Sequence, residues 1–493
     1  MAKKILIIGA GIAGLSAGVH ACRNGYEVEI FEQHKLPGGL CTAWKRKDFT
    51  FDGCIHWLVG TKPGSQFNRL WHEVGALENV RIIDHDIFMT IEGGNNKILK
   101  VYSDLDLLQD HLLELAPEDE VPIRQMIEAS RTMSNLKMPL EKPDEFFRFW
   151  DIPVMMVKMM PLFKVLGRFA RITVAEFLNE LKNPFVKEAL AQVLPVNYSM
   201  TSLIGTLASL HSRDAGFPEG GSLPLARSLE KCFLDLGGKL HYNSRVKQVL
   251  VGSGQAQGLL LEDGAEVQGD YVIAAADLHS TLYDLLGGKY LTPLIKDSFA
   301  NLSCYTSAQI YLGVDADLSA EPNKLVVRLD NPIDLGSGPN RFVYLTNYSF
   351  DPTLAPSGKS VLAAMVYSSY QYWDSAAAKR ERYQEKKEQL AEKLSRVVMK
   401  RYPAIKDQIV VTDVVTPHTY QHYTSVWKGA YMAWIIPPAA GRFNIPRKLP
   451  GLEDLYLAGQ WVSPPAGLPG SMLTGRHAIQ IICRKDRKPF LTG

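Results

Sequence analysis

The strongest constraint on the fold is the N-terminal segment KKILIIGAGIAGLSAGVHACRNGYEVEIFEQ, residues 3–33. Its apolar run KILIIG is typical of a strand buried in a parallel sheet. Glycines follow at the spacing G-x-G-x-x-G, helix-compatible small and apolar residues continue, and YEVEIFE alternates like a second strand. The segment therefore predicts a βαβ unit that binds a dinucleotide at the turn between the first strand and the helix.

Each residue of this fingerprint has a physical role. Gly9 permits the tight turn, Gly11 lets a pyrophosphate approach the backbone, and Gly14 lets the helix pack on the strand. Ala13 belongs to the same predicted phosphate site. Glu32 ends the second strand, where a carboxylate accepts hydrogen bonds from both ribose hydroxyls and repels a 2′-phosphate. The nucleotide is therefore an unphosphorylated adenosine, in FAD or in NAD.

Length and composition bound the rest of the chain. A length of 493 residues suggests two or three modules. With 54 Lys and Arg against 52 Asp and Glu, the chain has no basic excess, so we expect no nucleic-acid partner. The six cysteines form no CxxC pair, and no His/Cys set has metal-ligand spacing, so we expect no metal site. Scattered free thiols favour the cytoplasm, and the glycine-rich N-terminus is better explained by nucleotide binding than by a signal peptide.

The segment 146–172, FFRFWDIPVMMVKMMPLFKVLGRFARI, combines apolar and basic residues. Pro153 and Pro161 break it, and five Lys and Arg interrupt it, so it is too short and too charged to span a bilayer. Its composition fits contact with an anionic membrane surface, and equally a buried lid over an apolar pocket. The methionines within 155–160 would form an adaptable apolar wall in either case.

Patterns further along the chain indicate that its modules are interleaved. Residues 222–236 predict a helix ended by two glycines, and YVIAAAD then reads as a buried strand of the nucleotide domain. Thr173 and Glu176 form a capping box, residues 378–402 predict a charged surface helix, and residues 449–481 predict strand, glycine-rich turn and helix.

Short motifs around these elements carry a resemblance to a known family. PGG follows the second strand, FTFDGCIHW comes next, PEGGS lies in the centre, and LYLAG, LPGS and TGR end the chain. Together they resemble the flavin amine oxidase superfamily, and most closely its branch of phytoene desaturases, carotenoid isomerases and retinol saturases. The resemblance is specific across roughly 1–75, 205–280 and 445–493 and weak elsewhere.

The resemblance implies FAD as the cofactor and assigns further residues to it. Gly38 and Gly39 would lie beside the pyrophosphate, and the backbone of Val246 beside the adenine. Many members of the family have Arg where this chain has Leu40, which implies one cofactor contact fewer. The remaining assigned residues would lie along the ribityl chain and the flavin ring, where a helix beginning near Ser471 would point its N-terminus at the flavin: Gly459, Gln460, Leu468, Gly470, Ser471 and Met472.

Candidate catalytic residues come from two places. His56 follows the turn that the resemblance places near the flavin, where it would donate a proton, position the substrate, or pack on the ring. Tyr420 and His422 lie in the aromatic segment 417–434, PHTYQHYTSVWKGAYMAW, which would line the pocket beside the flavin. Aromatic segments also serve packing alone, so both alternatives stay open.

We therefore expect an α/β fold in which a Rossmann-type FAD-binding domain is interleaved with an α+β substrate domain. Residues 1–95, 205–290 and 430–493 would form the first, and residues 96–204 and 291–429 the second. The resemblance implies an FAD-dependent oxidoreductase that desaturates, saturates or isomerises carbon–carbon bonds of a long apolar isoprenoid, polyene or unsaturated lipid. A flavin amine oxidase and a non-enzymatic escort of prenylated proteins are the alternatives. The electron partner is left open.

One prediction concerns electron supply. The chain has a single dinucleotide fingerprint, and that fingerprint is assigned to FAD, so neither NADH nor NADPH has a strand-glycine-helix unit of its own. We expect anaerobic stopped-flow spectra to show fast bleaching of the bound flavin by dithionite and slow bleaching by either nicotinamide. Saturable, fast reduction by NADPH would contradict this prediction.

Overall fold

A computed structural model describes residues 2–492, apart from 137–139, 149, 152–159, 378, 441–442 and 465–466. The central part of segment 146–172, with three of its four methionines, lies outside the described residues. Across the described part of the chain, no helix is both long enough and apolar enough to cross a bilayer.

The strands, in chain order β1 to β20, are Lys4–Ile8, Glu27–Phe31, Ala43–Arg46, Phe49–Asp52, Leu58–Val59, Ile82–Ile83, Ile87–Glu92, Ile98–Tyr102, Ala215–Pro218, Lys239–His241, Val246–Gly252, Gln255–Leu261, Glu266–Gln268, Tyr271–Ala274, Ser307–Val314, Lys324–Asp334, Pro339–Asn347, Ser360–Tyr367, Ile409–Val415 and Leu455–Leu457. The α-helices, α1 to α14, are Ile12–Arg23, Gln66–Glu73, Leu105–Leu115, Glu120–Ser134, Met160–Phe169, Val174–Leu178, Pro184–Leu190, Met200–His211, Ser222–Asp235, Pro293–Asn301, Tyr370–Ala377, Arg380–Arg401, Pro417–Thr424 and Gly467–Lys485.

A five-stranded parallel sheet, in the order β10-β2-β1-β14-β20, forms the nucleotide-binding layer. β1 pairs in parallel with both β2 and β14, and α1 connects β1 to β2. The βαβ unit predicted from the N-terminal segment is therefore present, and the α/β fold class is confirmed. Strand YVIA and strand LYL, from the middle and the end of the chain, join the same sheet. The layer is thus assembled from three distant segments.

A second sheet of seven strands, in the order β19-β15-β18-β17-β16-β7-β8, forms the other main layer. Its pairs are antiparallel except for β16 with β7. Helix α12 covers one face of this sheet with Leu390, Leu394 and Val398, as the apolar face of the charged helix predicts. The opposite face is left for the cavity described below.

The predicted domain boundary at residue 95 falls between two strands that pair with each other. β7 and β8 form a hairpin across residues 87–102, and β7 pairs with β16 of the seven-stranded sheet. The residue pattern of β7 alone does not reveal its partner, because pairing with β16 depends on a strand more than 200 residues away. Residue 95 therefore lies in the turn of a hairpin that belongs to the second sheet.

Several local predictions are confirmed and one is corrected. Thr173 caps α6 in a reciprocal capping box with Glu176, and α9 ends at Asp235 just before its two glycines. The C-terminal helix α14 begins at Gly467, four residues before the predicted start near Ser471. Gly467 has φ +54°, a conformation that glycine adopts without a steric penalty.

Candidate functional site

The carboxyl ends of the parallel strands meet at one edge of the sheet, and this edge forms one end of a large cavity. Gly9 follows β1, Glu32 follows β2, Asp277 closely follows β14, and Gly459 closely follows β20. All four line the cavity, whose volume is about 2310 Å³. Ligands of open parallel sheets bind at this edge, so the topology positions the site that the fingerprint predicts.

The fingerprint glycines form the turn between β1 and α1, which we call the glycine cradle. A side chain would have space at Gly11 and none at Gly14. A Cβ on Gly14 would collide with the carbonyl oxygen of Gly9, so helix and strand pack there without room for a side chain. A Cβ on Gly11 would meet nothing closer than the carbonyl oxygen of Gly38, at 4.0 Å, and Gly11 lines the cavity. The free space at Gly11 fits a pyrophosphate, whereas Gly14 serves packing and does not line the cavity.

The loop of Gly38 and Gly39 completes the cradle. The amide of Gly38 donates to the carbonyl of Ala10 at 2.8 Å, and φ is +102° at Gly38 and +61° at Gly39. A Cβ on Gly38 would collide with the carbonyl oxygen of Cys41. Gly38, Gly39 and Leu40 all line the cavity, where the resemblance places the cofactor.

Glu32 is buried at the end of β2 and lines the cavity. Its Oε2 accepts from the amide of Ala10 at 2.7 Å, and its Oε1 accepts from the amide of His34 at 2.8 Å. These bonds fix the carboxylate, while burial raises its pKa above the usual range. Each oxygen has a second lone pair, so the carboxylate can still accept from ribose hydroxyls.

The C-terminal helix α14 closes the cradle from the other side. A Cβ on Gly475 would collide with the carbonyl oxygen of Ala13, so α14 and α1 are in close backbone contact. Ser16 Oγ donates to the carbonyl of Met472 at 2.8 Å. The side chain of Met472 is buried and does not line the cavity, so we correct its predicted position at the flavin ring: the helix turns it into the core.

Most of the predicted cofactor residues line the same cavity. The wall of the cavity includes residues predicted to contact the adenosine, the pyrophosphate and the flavin ring of FAD. These residues line one continuous cavity. Those residues, besides the ones already described, are Ala13, Val246, Gln460, Leu468, Gly470 and Ser471. The open space at Gly11, together with this continuous wall, fits FAD.

Away from the cradle, four tyrosines form what we call the tyrosine slot: Tyr198, Tyr344, Tyr367 and Tyr431. The rings of Tyr344 and Tyr367 lie 5.9 Å apart at near right angles. Burial raises the pKa of all four phenols, so each is neutral at physiological pH. The slot is therefore an uncharged aromatic surface, suited to an apolar chain.

The uncovered face of the seven-stranded sheet forms the floor of the cavity and contributes Tyr344 and Tyr367 to the tyrosine slot. Side chains alternate between the two faces of a strand, so every second residue of β15, β17 and β18 reaches the cavity. The intervening residues pack in the core under α12. The residues of the floor are Ser307, Gln309, Tyr344, Thr346, Ala363, Met365 and Tyr367.

His56 lines the cavity, as predicted, close to Lys324 and Trp57. Protein surrounds its ring, which reaches solvent through the cavity, and this burial lowers its pKa to about 3 with a smaller effect from the charge of Lys324. His56 is therefore neutral at physiological pH. A neutral imidazole can donate and accept hydrogen bonds, but it carries no charge with which to attract an anion.

Tyr420 and His422 lie on the same short helix, α13, and line different parts of the cavity. Tyr420 accepts a hydrogen bond from Nε2 of Gln309 on the sheet floor, at 3.0 Å. His422 packs on Tyr423 at 4.9 Å, and Tyr423 lies 5.3 Å from His34, next to the Glu32 end. The structure therefore places His422 on the adenosine side of the cavity, and not in the predicted position beside the flavin ring.

Sequence patterns did not single out several residues of the wall. Cys41 and Cys54 line the cavity: Cys41 lies two residues after PGG, and Cys54 lies within FTFDGCIHW. Asp277 ends the quoted strand YVIAAAD. Lys324 and the tyrosines of the slot lie in segments where the resemblance is weak, and only the pairing of distant strands brings them together. No motif could have identified that second group.

Gly11→Val tests the pyrophosphate position. The added side chain would enter the open space of the cradle, so we expect the protein to fold and to lose FAD, with an affinity loss of about 100-fold or more, or about 3 kcal/mol. The flavin-to-protein ratio after purification measures this. Gly94→Val is the matched control, since a Cβ at Gly94 meets nothing within 4 Å and lies outside the cavity. Equal FAD content in both variants would refute the assignment.

Glu32→Ala tests the ribose position. Removing the carboxylate should weaken FAD binding by about 1 to 3 kcal/mol, the range for hydrogen bonds to a charged acceptor. Titration of the apoprotein with FAD gives the dissociation constant. The control Glu27→Ala removes an exposed carboxylate from the start of the same strand and should leave it unchanged. An unchanged constant in Glu32→Ala would show that the adenosine lies elsewhere.

Comparison with known proteins supports FAD as the cofactor of this chain. The sequence model of a family described as "Flavin containing amine oxidoreductase" matches residues 12–483. Prolycopene isomerase 1 of an Oncidium hybrid cultivar is 25% identical over 485 residues, covering 94% of this chain and 81% of that one. The lycopene-forming phytoene desaturase of Pseudescherichia vulneris is 25% identical, covering 97% and 99%, and the all-trans-retinol 13,14-reductase of Danio rerio is 24% identical, covering 92% and 82%.

The fold also matches solved structures. An oxidoreductase from Methanosarcina mazei superimposes with a TM-score of 0.61 at 17% identity, covering 97% of this chain and 100% of that one, which supports the fold alone. The family match spans nearly the whole chain and agrees with the motifs quoted above, so the expected resemblance is confirmed. The chain belongs to the family of flavin containing amine oxidoreductases and is an FAD-dependent oxidoreductase.

Proposed function

We propose that this enzyme acts on carbon–carbon bonds of a long apolar molecule, such as a polyene, an isoprenoid or an unsaturated lipid. One observation carries the proposal: the glycine cradle and the tyrosine slot are parts of one cavity of about 2310 Å³. A cofactor in the cradle and an apolar chain in the slot would share a single enclosed space. Bound FAD would supply the transfer of hydride or electrons.

The chain's own residues would position and shield the substrate. The neutral phenols of the slot and the methionines Met89 and Met365 would hold an apolar chain without charge and exclude water from it. Tyr420 is held by Gln309, and Tyr311 donates to Oε1 of the same Gln309 at 2.9 Å, so the phenol beside the floor has a fixed orientation. His56, being neutral, would donate or accept a hydrogen bond from the wall.

The relatives support this substrate class and leave the direction of reaction open. Their names describe an isomerase of prolycopene, a desaturase of phytoene and a reductase of all-trans-retinol. All three substrates are long and unsaturated. We infer the substrate class that they share, and the assay below separates desaturation, saturation and isomerisation.

The amine oxidase alternative has less support from the site. Among the described residues, the carboxylates that line the main cavity are Glu32, Glu262, Asp277, Asp284 and Asp413, and none of them belongs to the tyrosine slot; near His56 and Lys324, Asp84 lines only a small adjoining cavity. A cationic side chain, Lys324, lines that wall instead, and its charge repels a protonated amine. The substrate site therefore favours a neutral or an anionic molecule.

We expect the FAD-loaded protein to convert at least one of three probes: phytoene, prolycopene or all-trans-retinol. Anaerobic incubation followed by chromatography with mass spectrometry separates the outcomes: loss of two hydrogens, gain of two hydrogens, or a changed retention time at unchanged mass. The Gly11→Val variant is the control without cofactor. Peroxide formation from putrescine, with all three probes unchanged, would favour the amine oxidase alternative.

We also propose that the described ends of segment 146–172 contact a membrane surface from which an apolar substrate enters. Trp150, Met160 and Phe163 are 53%, 66% and 44% exposed, an unusual set of apolar side chains for one segment. Met160 and Phe163 are three residues apart on α5 and so share one face. Arg171 beside this helix is exposed and could meet anionic lipid. We further infer a cytoplasmic enzyme that binds the membrane reversibly.

The double variant Met160→Glu/Phe163→Glu should reduce co-sedimentation with phosphatidylglycerol-containing liposomes, because it replaces apolar contacts with negative charge. Wild-type binding should fall as salt rises, since basic side chains contribute about 1 kcal/mol each near an anionic surface. Val121→Glu is the control, because Val121 is 67% exposed on α4, outside this segment. Wild-type protein that stays in the supernatant with liposomes present would contradict the proposal.

A further inference from the structure

Lys324 is the first residue of β16, and its side chain lines the cavity. Its cross-strand partner on β17 is Thr346, and Tyr344 lies two residues from Thr346 on the same face. Lys324 is therefore part of the wall that continues into the tyrosine slot.

Within the described residues, the ammonium of Lys324 has no carboxylate within ion-pair distance and no hydrogen-bond acceptor. Its contacts are with aromatic faces: Nζ lies 4.7 Å from the ring centre of Phe88 and 5.3 Å from that of Trp57. The buried arginines Arg447 and Arg476, by contrast, have the anionic partners Glu145 and Glu73. Lys324 is half-buried in the wall of a mainly apolar cavity and has no such partner among the described residues.

The neighbouring titratable groups do not neutralise this charge. Burial lowers the pKa of His56 to about 3 and that of His85 to about 4, so both rings are neutral near pH 7. Asp84 lines a small adjoining cavity with Lys324 and makes no ion pair with it; burial raises the pKa of this carboxyl, and the charge of Arg213 opposes that shift. The wall thus presents one positive charge to the main cavity.

An enclosed charge without a partner destabilises a protein unless a ligand completes it. Burial lowers the pKa of Lys324 to about 8, which leaves the amine mostly protonated at pH 7. The two aromatic faces are attractive but weaker than a carboxylate partner. The position therefore lacks the anion that its charge and surroundings favour.

We propose that Lys324 binds the carboxylate end of the substrate, whose apolar chain lies along the tyrosine slot. The preferred ligand is then a long unsaturated carboxylic acid. His56, neutral and on the same wall, supplies a second hydrogen bond to the carboxylate. This inference rests on the proposed function and adds the chemistry of the substrate's polar end.

Two ligands with the same chain and different ends test the proposal: all-trans-retinoic acid and all-trans-retinol. Binding to the FAD-loaded protein is measured by quenching of tryptophan fluorescence, because Trp57 adjoins Lys324. We expect the wild type to bind the acid at least about ten-fold more tightly than the alcohol. Lys324→Met should weaken binding of the acid about ten-fold and change binding of the alcohol less than about two-fold. Lys324→Arg should restore most of the preference.

The control Lys296→Met removes an exposed lysine of α10 that does not line the cavity, and it should change neither affinity. Lys324→Met without ligand should keep or raise the thermal midpoint, because it removes an enclosed unpaired charge. A fall in midpoint with equal loss of both ligands would assign Lys324 a structural role and overturn the proposal.

Two further outcomes would also overturn it. One is a wild type with no preference for the acid, or with no binding of either probe while FAD is retained. The other is a shifted flavin midpoint potential in Lys324→Met with an unchanged preference for the acid, which would assign the amine to the cofactor. Neither outcome affects the proposed carbon–carbon chemistry, which the conversion of phytoene, prolycopene or all-trans-retinol tests separately.

Discussion

Helix α1 and helix α14 touch backbone to backbone, and the cavity depends on this contact. Gly475 faces the carbonyl of Ala13 where no Cβ would fit, and Gly14 faces the carbonyl of Gly9 in the same way. Glycine removes the side chains that would hold these segments apart. The carboxyl edge of the parallel sheet and the start of α14 are thereby brought close enough to enclose one dinucleotide.

The seven-stranded sheet contributes the other half of the site through its two unlike faces. One face buries Ile310, Leu345 and Leu362 under α12, and this packing stabilises the strands. The other face carries the cavity floor, so its residues are free to serve binding. Because alternation along each strand assigns residues to the faces, a shift of one residue in register would exchange core and cavity. The same pairing that stabilises the sheet therefore positions the slot and Lys324.

Much of the dinucleotide half could be predicted from the sequence, because its determinants are local. Gly9, Gly11 and Glu32 act within one βαβ unit, and their spacing alone indicates their roles. The substrate half depends on contacts between distant strands, such as β16 with β7, and no local pattern at Ile87–Glu92 reveals that partner. The position of His422 also differs from the predicted one beside the flavin. Tyr420 and His422 are two residues apart, yet a short helix directs them to different parts of the cavity.

We expect the cofactor and an apolar substrate chain to share one cavity. A crystal structure of the protein with FAD and a bound polyene tests this most directly. We expect the adenosine beside Glu32, the pyrophosphate against Gly11, and the polyene between the four tyrosines of the slot. A polyene bound on another surface, with the tyrosine slot filled by water, would contradict it.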